Sequence, residues 1–471
     1  MKKILFVLCI FMPSYIFADN EDYSGQDVSG MNFSLESRRN SKWGNLIGAR
    51  GTIFSAGTEF GSGTDYTNAS FGSANLAGAI FSGANLAGSN FENSSINGAN
   101  FSNANLVSSD FFIAVDFTGA DFTGAVVTHA DFSDTTRNGF TKEQLYSTRS
   151  YKEKSMQGMG FLGNNFDGWD FSGQDLTGAD FCCTSLSGTN FDNAIITNAM
   201  FNNSSYIDKS TIYSTKSYKE RNLMGVSFLG LDISSWDLSR QCLMHAVFNY
   251  TTRRNVKFSF SDLRGSFFDE EDNSENLPIY KNTILSDGVI KNFSMTSAEE
   301  SFSIRKYVPL KNSDNVISAK ISEKNSEIFG GAILNLEPGS KLEISAQKTL
   351  TVHADGTLAI STSVLDSTQI YLGENSGLII SGNLIVNIEE ALDENKFYKF
   401  DIVAFEDNSL LDIKEECVSL SVIGEAYNDF WYCTIENGTL SIVIPEPSNV
   451  CLAMCVFALG FFVYKKIKHV A

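Results

Sequence analysis

Ala74-Asn75-Leu76-Ala77-Gly78, Ala79-Ile80-Phe81-Ser82-Gly83 and Ala84-Asn85-Leu86-Ala87-Gly88 follow one another without a break. Read in fives, Ala69 to Asp134 repeats one pattern: small, Asn or Asp, Leu or Phe, small polar, Gly or Asn. The large residue recurs at Phe91, Ile96, Phe101, Leu106 and Phe111, then after a one-residue insertion at Phe117, Phe122, Val127 and Phe132. Neither a helix nor a strand has this period. A chain that turns a corner at every repeat does. The large side chain points inward, the small one fills the space beside it, and Gly or Asn takes the corner conformation. Four corners close a square coil of about twenty residues, stacked at the inter-strand spacing of roughly 4.7–4.9 Å. Phe and Leu/Ile alternate along the run, so Phe falls on one pair of opposite faces and aliphatics on the other. The high Phe content, 38 of 471 residues, follows from such columns.

These fives resemble the pentapeptide-repeat family. The resemblance implies an all-β fold: a right-handed quadrilateral β-solenoid. The repeat is interrupted at Thr141-Lys142-Glu143-Gln144, where Thr141 and Gln144 have capping-box spacing and predict a short helix. It resumes from Met156 through Phe161, Phe166, Phe171, Leu176, Phe181, Leu186, Phe191, Ile196 and Phe201. A longer repeat overlies it. Tyr146-Ser147-Thr148-Arg149-Ser150-Tyr151-Lys152-Glu153 returns 67 residues later as Tyr213-Ser214-Thr215-Lys216-Ser217-Tyr218-Lys219-Glu220. Trp169-Asp170 likewise returns as Trp236-Asp237. A module of short helix plus coils is therefore duplicated. A third run of fives fades towards Phe268, and Arg253, at an inward position, predicts a distorted coil.

The fives are preceded by an irregular start and followed by an acidic linker. From Leu277 to Ile444 short strands with Gly and Asn turns succeed one another at about eight-residue spacing, predicting a sandwich or a second, β-helix-like solenoid. Expected strands are 332–336, 341–344, 350–352, 358–360, 369–372, 378–380 and 384–386, with 398–405 and 439–444 closing the end.

Both ends carry processing patterns. Lys2-Lys3, the apolar run Ile4–Met12 and a small residue at Ala18 read as a signal peptide. Pro445-Glu446-Pro447, the apolar run Val450–Tyr464 and the basic tail Lys465-Lys466-Ile467-Lys468 are similar to a PEP-CTERM sorting signal. That resemblance implies transient insertion in the inner membrane of a Gram-negative-type bacterium, recognition by an exosortase, and removal of the tail. The lysines would hold the tail on the cytoplasmic side. The expected organisation is a signal peptide at 1–18, a cap at 19–65, the solenoid at 66–268, a linker at 269–276, the β-rich domain at 277–444 and the sorting signal at 445–471.

The chain is acidic, with 35 Lys+Arg against 55 Asp+Glu and a formal net charge of −20. Lys2, Lys3, Lys465, Lys466 and Lys468 sit in the terminal segments, so the part between is more acidic still. This disfavours nucleic acid as a partner. No CxxC, HExxH, GxSxG or Walker pattern is present, so no catalytic, cofactor-binding or metal residues are assigned. His129 and His245 fall at corners and read as solvated turn residues. Export motivates a Cys417–Cys433 disulfide, with two buried thiols as the alternative. The candidate binding residues are Trp169, Asp170, Trp236 and Asp237: with Tyr and Lys/Arg nearby they would line a glycan-binding ridge, or each Trp fills space beneath a helical insertion.

The expected function is a non-enzymatic surface or extracellular-matrix protein, exported and sorted through its C-terminus, with exopolysaccharide as a further partner. The alternatives are a secreted polysaccharide-binding or polysaccharide-degrading β-helix and an acidic DNA mimic that binds topoisomerase; the signal peptide argues against the mimic.

Overall fold

The computed structural model describes Phe60 and residues 65–269, 276–310, 316–363, 369–381, 383–389, 398–405, 409–413, 418–422, 425–426, 432–436, 439–444 and 467–468. Ala18, Pro445, Glu446, Pro447, the run Val450–Tyr464 and Cys417 lie outside these residues, as does the side chain of Cys433. The chain divides into two compact units, Met1–Glu220 and Arg221–Ala471.

In the first unit each repeat builds one side of a square. The carbonyl of the inward residue accepts from the N–H three residues on, as in Ala79 N–H to Leu76 O (3.0 Å) and Ala84 N–H to Phe81 O (3.0 Å). The third residue of that turn is left-handed, for example Gly78 at φ 65° and Asn93 at φ 57°. The residue before the inward one bridges its equivalent on the next coil: Asp65 to Asn85, Ser70 to Asn90, Asn75 to Ser95, Ile80 to Asn100. Four sides therefore make one coil. The pattern's acids and amides act locally: Asp121 and Asp131 each accept the N–H two residues ahead, at 2.8 Å. Such Asx turns are why Asp and Asn recur at this position.

The interior is two Phe columns and two mainly aliphatic columns, in which Tyr66 and Phe117 also stand. Phe60, Phe81, Phe101 and Phe122 stack along one side at centroid distances of 4.1, 5.1 and 5.2 Å. Phe71, Phe91, Phe111 and Phe132 stack opposite at 5.1, 4.7 and 5.0 Å. The columns meet edge-to-face, as at Phe91–Phe101 (5.5 Å, 87°), an arrangement that suits the ring quadrupole. Buried serines at the small position are satisfied by a nearby carbonyl, Ser94 Oγ donating to Phe91 O at 2.7 Å.

The expected helix forms. Thr141 caps α1 (Lys142–Ser147), and the Thr141–Gln144 capping box is complete. A second turn, α2 (Arg149–Lys152), follows directly, capped by Thr148. The duplicated stretch folds the same way as α3 (Lys209–Ser214) and α4 (Lys216–Lys219). The likeness reaches side chains: Tyr146–Tyr151 and Tyr213–Tyr218 both stack at 4.3 Å. Ser150 and Ser217 accept from Val127 N–H and Ile196 N–H, each at 2.9 Å. These helices stand in for part of a coil and return the chain to register, with Asp131 bridging Gly160.

In the second unit square coils run from Asn222, which bridges Cys242, to Val247, which bridges Phe267. The bridging continues at Lys257–Ile279 and Asp262–Ile284. A short antiparallel pair comes next, β1 (Thr283–Ile284) and β2 (Ile290–Lys291). The strands that follow are β3 (Ser301–Ile304), β4 (Ala319–Ile321), β5 (Ser326–Ile328), β6 (Ile333–Leu336), β7 (Lys341–Ile344), β8 (Thr349–Val352), β9 (Thr357–Thr362), β10 (Gln369–Leu372), β11 (Gly377–Ile380), β12 (Asn383–Ile388), β13 (Tyr398–Phe405), β14 (Leu410–Ile413) and β15 (Val418–Val422). Pairing is parallel along β4-β7-β10-β13, β5-β8-β11-β14 and β3-β6-β9-β12-β15. This is a three-sided β-helix, not a sandwich. Its inward positions alternate and hold aliphatics, for example the row Leu350, Leu378 and Leu411. Three antiparallel strands, β16 (Glu425–Ala426), β17 (Tyr432–Glu436) and β18 (Thr439–Ile444), are added at its end.

Two expectations need correction in this unit. The backbone around Arg253 is not distorted: Ser235 N–H reaches Arg254 O at 2.8 Å, in register with the neighbouring sides. The guanidinium is accommodated by bonds to Phe248 O (2.8 Å) and Asp269 (2.7 Å) and lies over the Phe268 ring. His245 keeps a corner φ of 60° but is only 7% exposed, with Nε2 2.5 Å from Val308 O. Residues 305–308 and 316–318 cover this face, where fully buried Arg264 pairs with Asp262 (2.6 Å) and donates to Ile317 O and Arg305 O.

Phe101 touches Phe rings above, below and across, so Phe101→Ala is expected to cost about 3–5 kcal/mol in chemical denaturation. Ile113 holds a corner at φ 46°, which a β-branched residue adopts only with strain. Ile113→Asn is expected to raise stability by about 1 kcal/mol in the same measurement.

Candidate functional site

The site lies in the first unit, where the chain leaves the solenoid wall after Phe132. The exit is pinned by Asn164, 2% exposed, at a position where the repeat normally places a small residue. Its Oδ1 accepts from the N–H groups of Thr135 and Thr136, both at 2.9 Å. Its Nδ2 donates to Phe132 O (2.9 Å) and Phe161 O (3.0 Å). One amide side chain thus supplies the backbone partners that the interrupted coil lacks. A short 3-10 turn, Thr136–Asn138, follows and ends at Gly139 (φ 93°), after which Phe140 turns back inward, 4% exposed.

Between this exit, the start of α1 and the coils that follow is an open cleft of about 830 Å³. Thr136, Arg137, Phe140, Thr141, Lys142, Glu143, Gly163, Asn164, Asn165, Asp167, Trp169, Cys183, Ser185 and Ser205 line it. Asp167 is held by Ser185 Oγ (2.7 Å) and Ser187 N–H (2.9 Å). Arg137 leans towards Asp134 at 3.4 Å but is largely exposed.

Trp169 occupies another small inward position and is 8% exposed. Its ring packs on Phe166 (4.5 Å), Phe140 (6.0 Å) and Tyr146 (6.2 Å), and it contributes to the cleft lining. Asp170 is not in the cleft: its carboxylate accepts from Ser172 N–H at 2.9 Å. Its backbone is clamped by two phenols, Asp170 N–H donating to Tyr146 Oη (2.5 Å) and Tyr151 Oη donating to Asp170 O (2.7 Å). Burial raises the Tyr146 pKa, and it pushes that of Tyr151 further up, both phenols staying neutral donors and acceptors. In the second unit Trp236 is 4% exposed, edge-on to Phe228 at 5.7 Å. Asp237 accepts from Ser239 N–H and faces Lys257 at 3.7 Å. The two Trp-Asp pairs thus share a local plan: a ring in the interior and a carboxylate closing a turn.

Sequence reasoning missed Asn164, Arg137, Phe140 and Asn165. The signal was present in Asn164: a large amide at a position that holds Ala or Ser through most of the run from Ala69 to Ala130 marks a coil with something to replace. His129 is an exposed corner residue. No group of three His, Cys, Asp or Glu side chains able to hold a metal occurs among the described residues. Nor is any helix among them long and apolar enough to cross a membrane.

The family model for pentapeptide repeats matches residues 62–93, 69–106, 112–136 and 165–205, in eight copies. Those stretches are pentapeptide repeats. The coils of the second unit lie beyond the matched residues. Similar solved structures include HetL, a pentapeptide repeat protein involved in heterocyst differentiation regulation from the cyanobacterium Nostoc. It aligns at 13% identity over 62% of this chain and 99% of that one, with a TM-score of 0.22. Trypsin-treated QnrB1, a plasmid-mediated fluoroquinolone resistance protein, aligns at 15% identity over 51% of this chain and 81% of that one, with a TM-score of 0.15. No curated protein matches the chain.

The vicinal thiols at the cleft provide a test of its geometry. Cys183, at φ 56°, is exposed and lines the cleft, whereas Cys182 is half-buried. Burial, reinforced by Asp180, pushes the Cys182 thiol up to about 12. Only the thiolate alkylates readily, so Cys182 should stay largely unreactive until the pH approaches that value. At pH 8 iodoacetamide is expected to label Cys183 at least about tenfold faster than Cys182, read by peptide mass spectrometry.

Proposed function

We propose that the chain is an exported, non-enzymatic scaffold of the cell surface or extracellular matrix, sorted and processed through its C-terminal signal. The observation that carries this reading is the use made of the repeat side chains. Inward residues are spent on ring and aliphatic columns, and the recurring Asp and Asn close turns or join neighbouring coils. Little of the repeat is left over for bond-making chemistry, which needs carboxylates or nucleophiles converging on one point. A stack of repeats that buries its own core is suited to extended display and multiple contacts.

The destination is inferred from the terminal patterns. Lys2-Lys3 with Ile4–Met12 and Ala18 supports export. Pro445-Glu446-Pro447, the short apolar run and the lysine-rich tail support recognition by an exosortase-type sorting enzyme at the inner membrane. The marked acidity suits a solvated exported surface.

Cell fractionation with mass spectrometry of both termini tests the reading. The expected product begins at Asp19, ends near Pro445-Glu446-Pro447, and is found at the surface or in the medium. Cytosolic protein that keeps Met1 and Ala471 would overturn it.

A further inference from the structure

The cleft beside the first helical excursion keeps side chains that packing does not consume. We propose that it binds a segment of a neutral oligosaccharide, gripped between the Arg137–Lys142 rim and the coil wall at Asn165 and Asp167. Four observations select that chemistry.

The first is charge balance. The chain as a whole is strongly acidic, yet the cleft brings two cations, Arg137 and Lys142, together with two carboxylates, Glu143 and Asp167. A polyanion would meet both carboxylates and the repulsion of the whole surface. A metal ion would meet the two cations. A ligand without charge meets neither penalty.

The second is hydrogen-bonding capacity. The cleft offers both donors and acceptors: guanidinium, ammonium and the Asn165 amide N–H groups donate, carboxylates and the Ser185 oxygen, whose proton is given to Asp167, accept, and the Ser205 hydroxyl does either. A sugar ring presents hydroxyls that also do both, so each ring satisfies such a mixed wall. An apolar ligand would leave it unpaired, at a cost.

The third is the floor. Phe140 and Trp169 place apolar ring atoms beneath the polar rim. Sugar rings carry C–H faces that cover such a floor while their hydroxyls reach the rim. Because both rings are largely buried, they give a rigid base and not a stacking platform.

The fourth is shape. The cleft is open, and its volume of about 830 Å³ falls within the roughly 300–1,000 Å³ of small-ligand sites. An open cleft admits a length of chain whose ends continue into solvent.

The cleft is also preformed. Asn164 locks its wall through four hydrogen bonds, and Tyr146 and Tyr151 lock the backbone beside Trp169. Little ordering is left to be done on binding, which favours affinity. Binding here is independent of export: a cytosolic protein would keep the cleft, and an exported one without sugar affinity would keep its location.

The experiment uses the purified full chain with three probes: maltohexaose, cellohexaose and hexagalacturonate. Calorimetry is expected to show saturable binding of at least one neutral hexasaccharide, with Kd about 0.01–1 mM. At saturation that sugar is expected to slow alkylation of Cys183 about tenfold, because the thiol shares the cleft. The pair Arg137→Ala and Lys142→Ala, both on the exposed rim, is expected to weaken binding about tenfold with the thermal midpoint little changed. Protection of Cys183 is read on the unaltered chain, so it stands even if the double variant folds poorly. Absence of binding by both neutral probes up to about 10 mM overturns the proposal. Binding that leaves Cys183 unprotected overturns it as well. So does binding confined to hexagalacturonate and weakened by salt, which would assign the site to polyanions.

Discussion

One inward side chain at every fifth position, followed two residues later by a left-handed corner, is the constraint on which the rest of the first unit depends. Once the corner is set, the N–H and C=O groups that the turn itself does not use pair with the neighbouring coils. The coils then lie at strand spacing, and that spacing places Phe on Phe at 4.7–5.2 Å for most pairs in the two main columns. Ring stacking and backbone pairing therefore share one repeat distance and reinforce each other. The small residue beside each ring is a consequence, since a closed square has room for little more. The Asn and Asp beside the bridge are a consequence too, because the turn offers an N–H that a short side chain can reach.

A fold so regular admits variation only where the chain can leave and re-enter between two inward residues. The helical excursions do this. Each replaces part of a coil with two short capped helices and uses buried polar side chains to satisfy what the missing backbone would have bonded. Asn164, Ser150 and Ser217 all serve that purpose. The first excursion leaves a cleft because Phe140 and Trp169 fill the interior without filling the wall. Structural repair and candidate site thus arise from the same interruption.

The second unit begins with the same square coil and changes period without losing its ladder. Past Asp262–Ile284 the inward residues alternate, the sides lengthen into strands, and aliphatics replace rings. A wider coil with three sides buries two or three residues per strand, so its core is built from branched side chains that interlock in rows. The covering segment at 305–308 and 316–318 supplies carbonyls to Arg264 and His245, which explains how a full charge and an imidazole are tolerated in so apolar a stack.

Much of this was legible in the residues alone. A fixed period of five forces corners, inward columns and Asx turns, because each is a local consequence of backbone geometry. Thr141 with Gln144 announced the first helix, the 67-residue echo announced the second, and alternating Gly-punctuated runs announced the β-rich strands. What only the tertiary structure decided was long-range. Whether those strands formed a sandwich or a helix depended on which strand met which. Whether Arg253 broke its coil depended on Asp269 and Phe268, and whether His245 was solvated depended on a segment some sixty residues away. Whether Trp169 stood out as a ridge or sat at the base of a cleft depended on where Phe140 returned. Local pattern specifies local geometry; the neighbours that bury a side chain, or leave it open to a ligand, come from contacts the pattern does not encode.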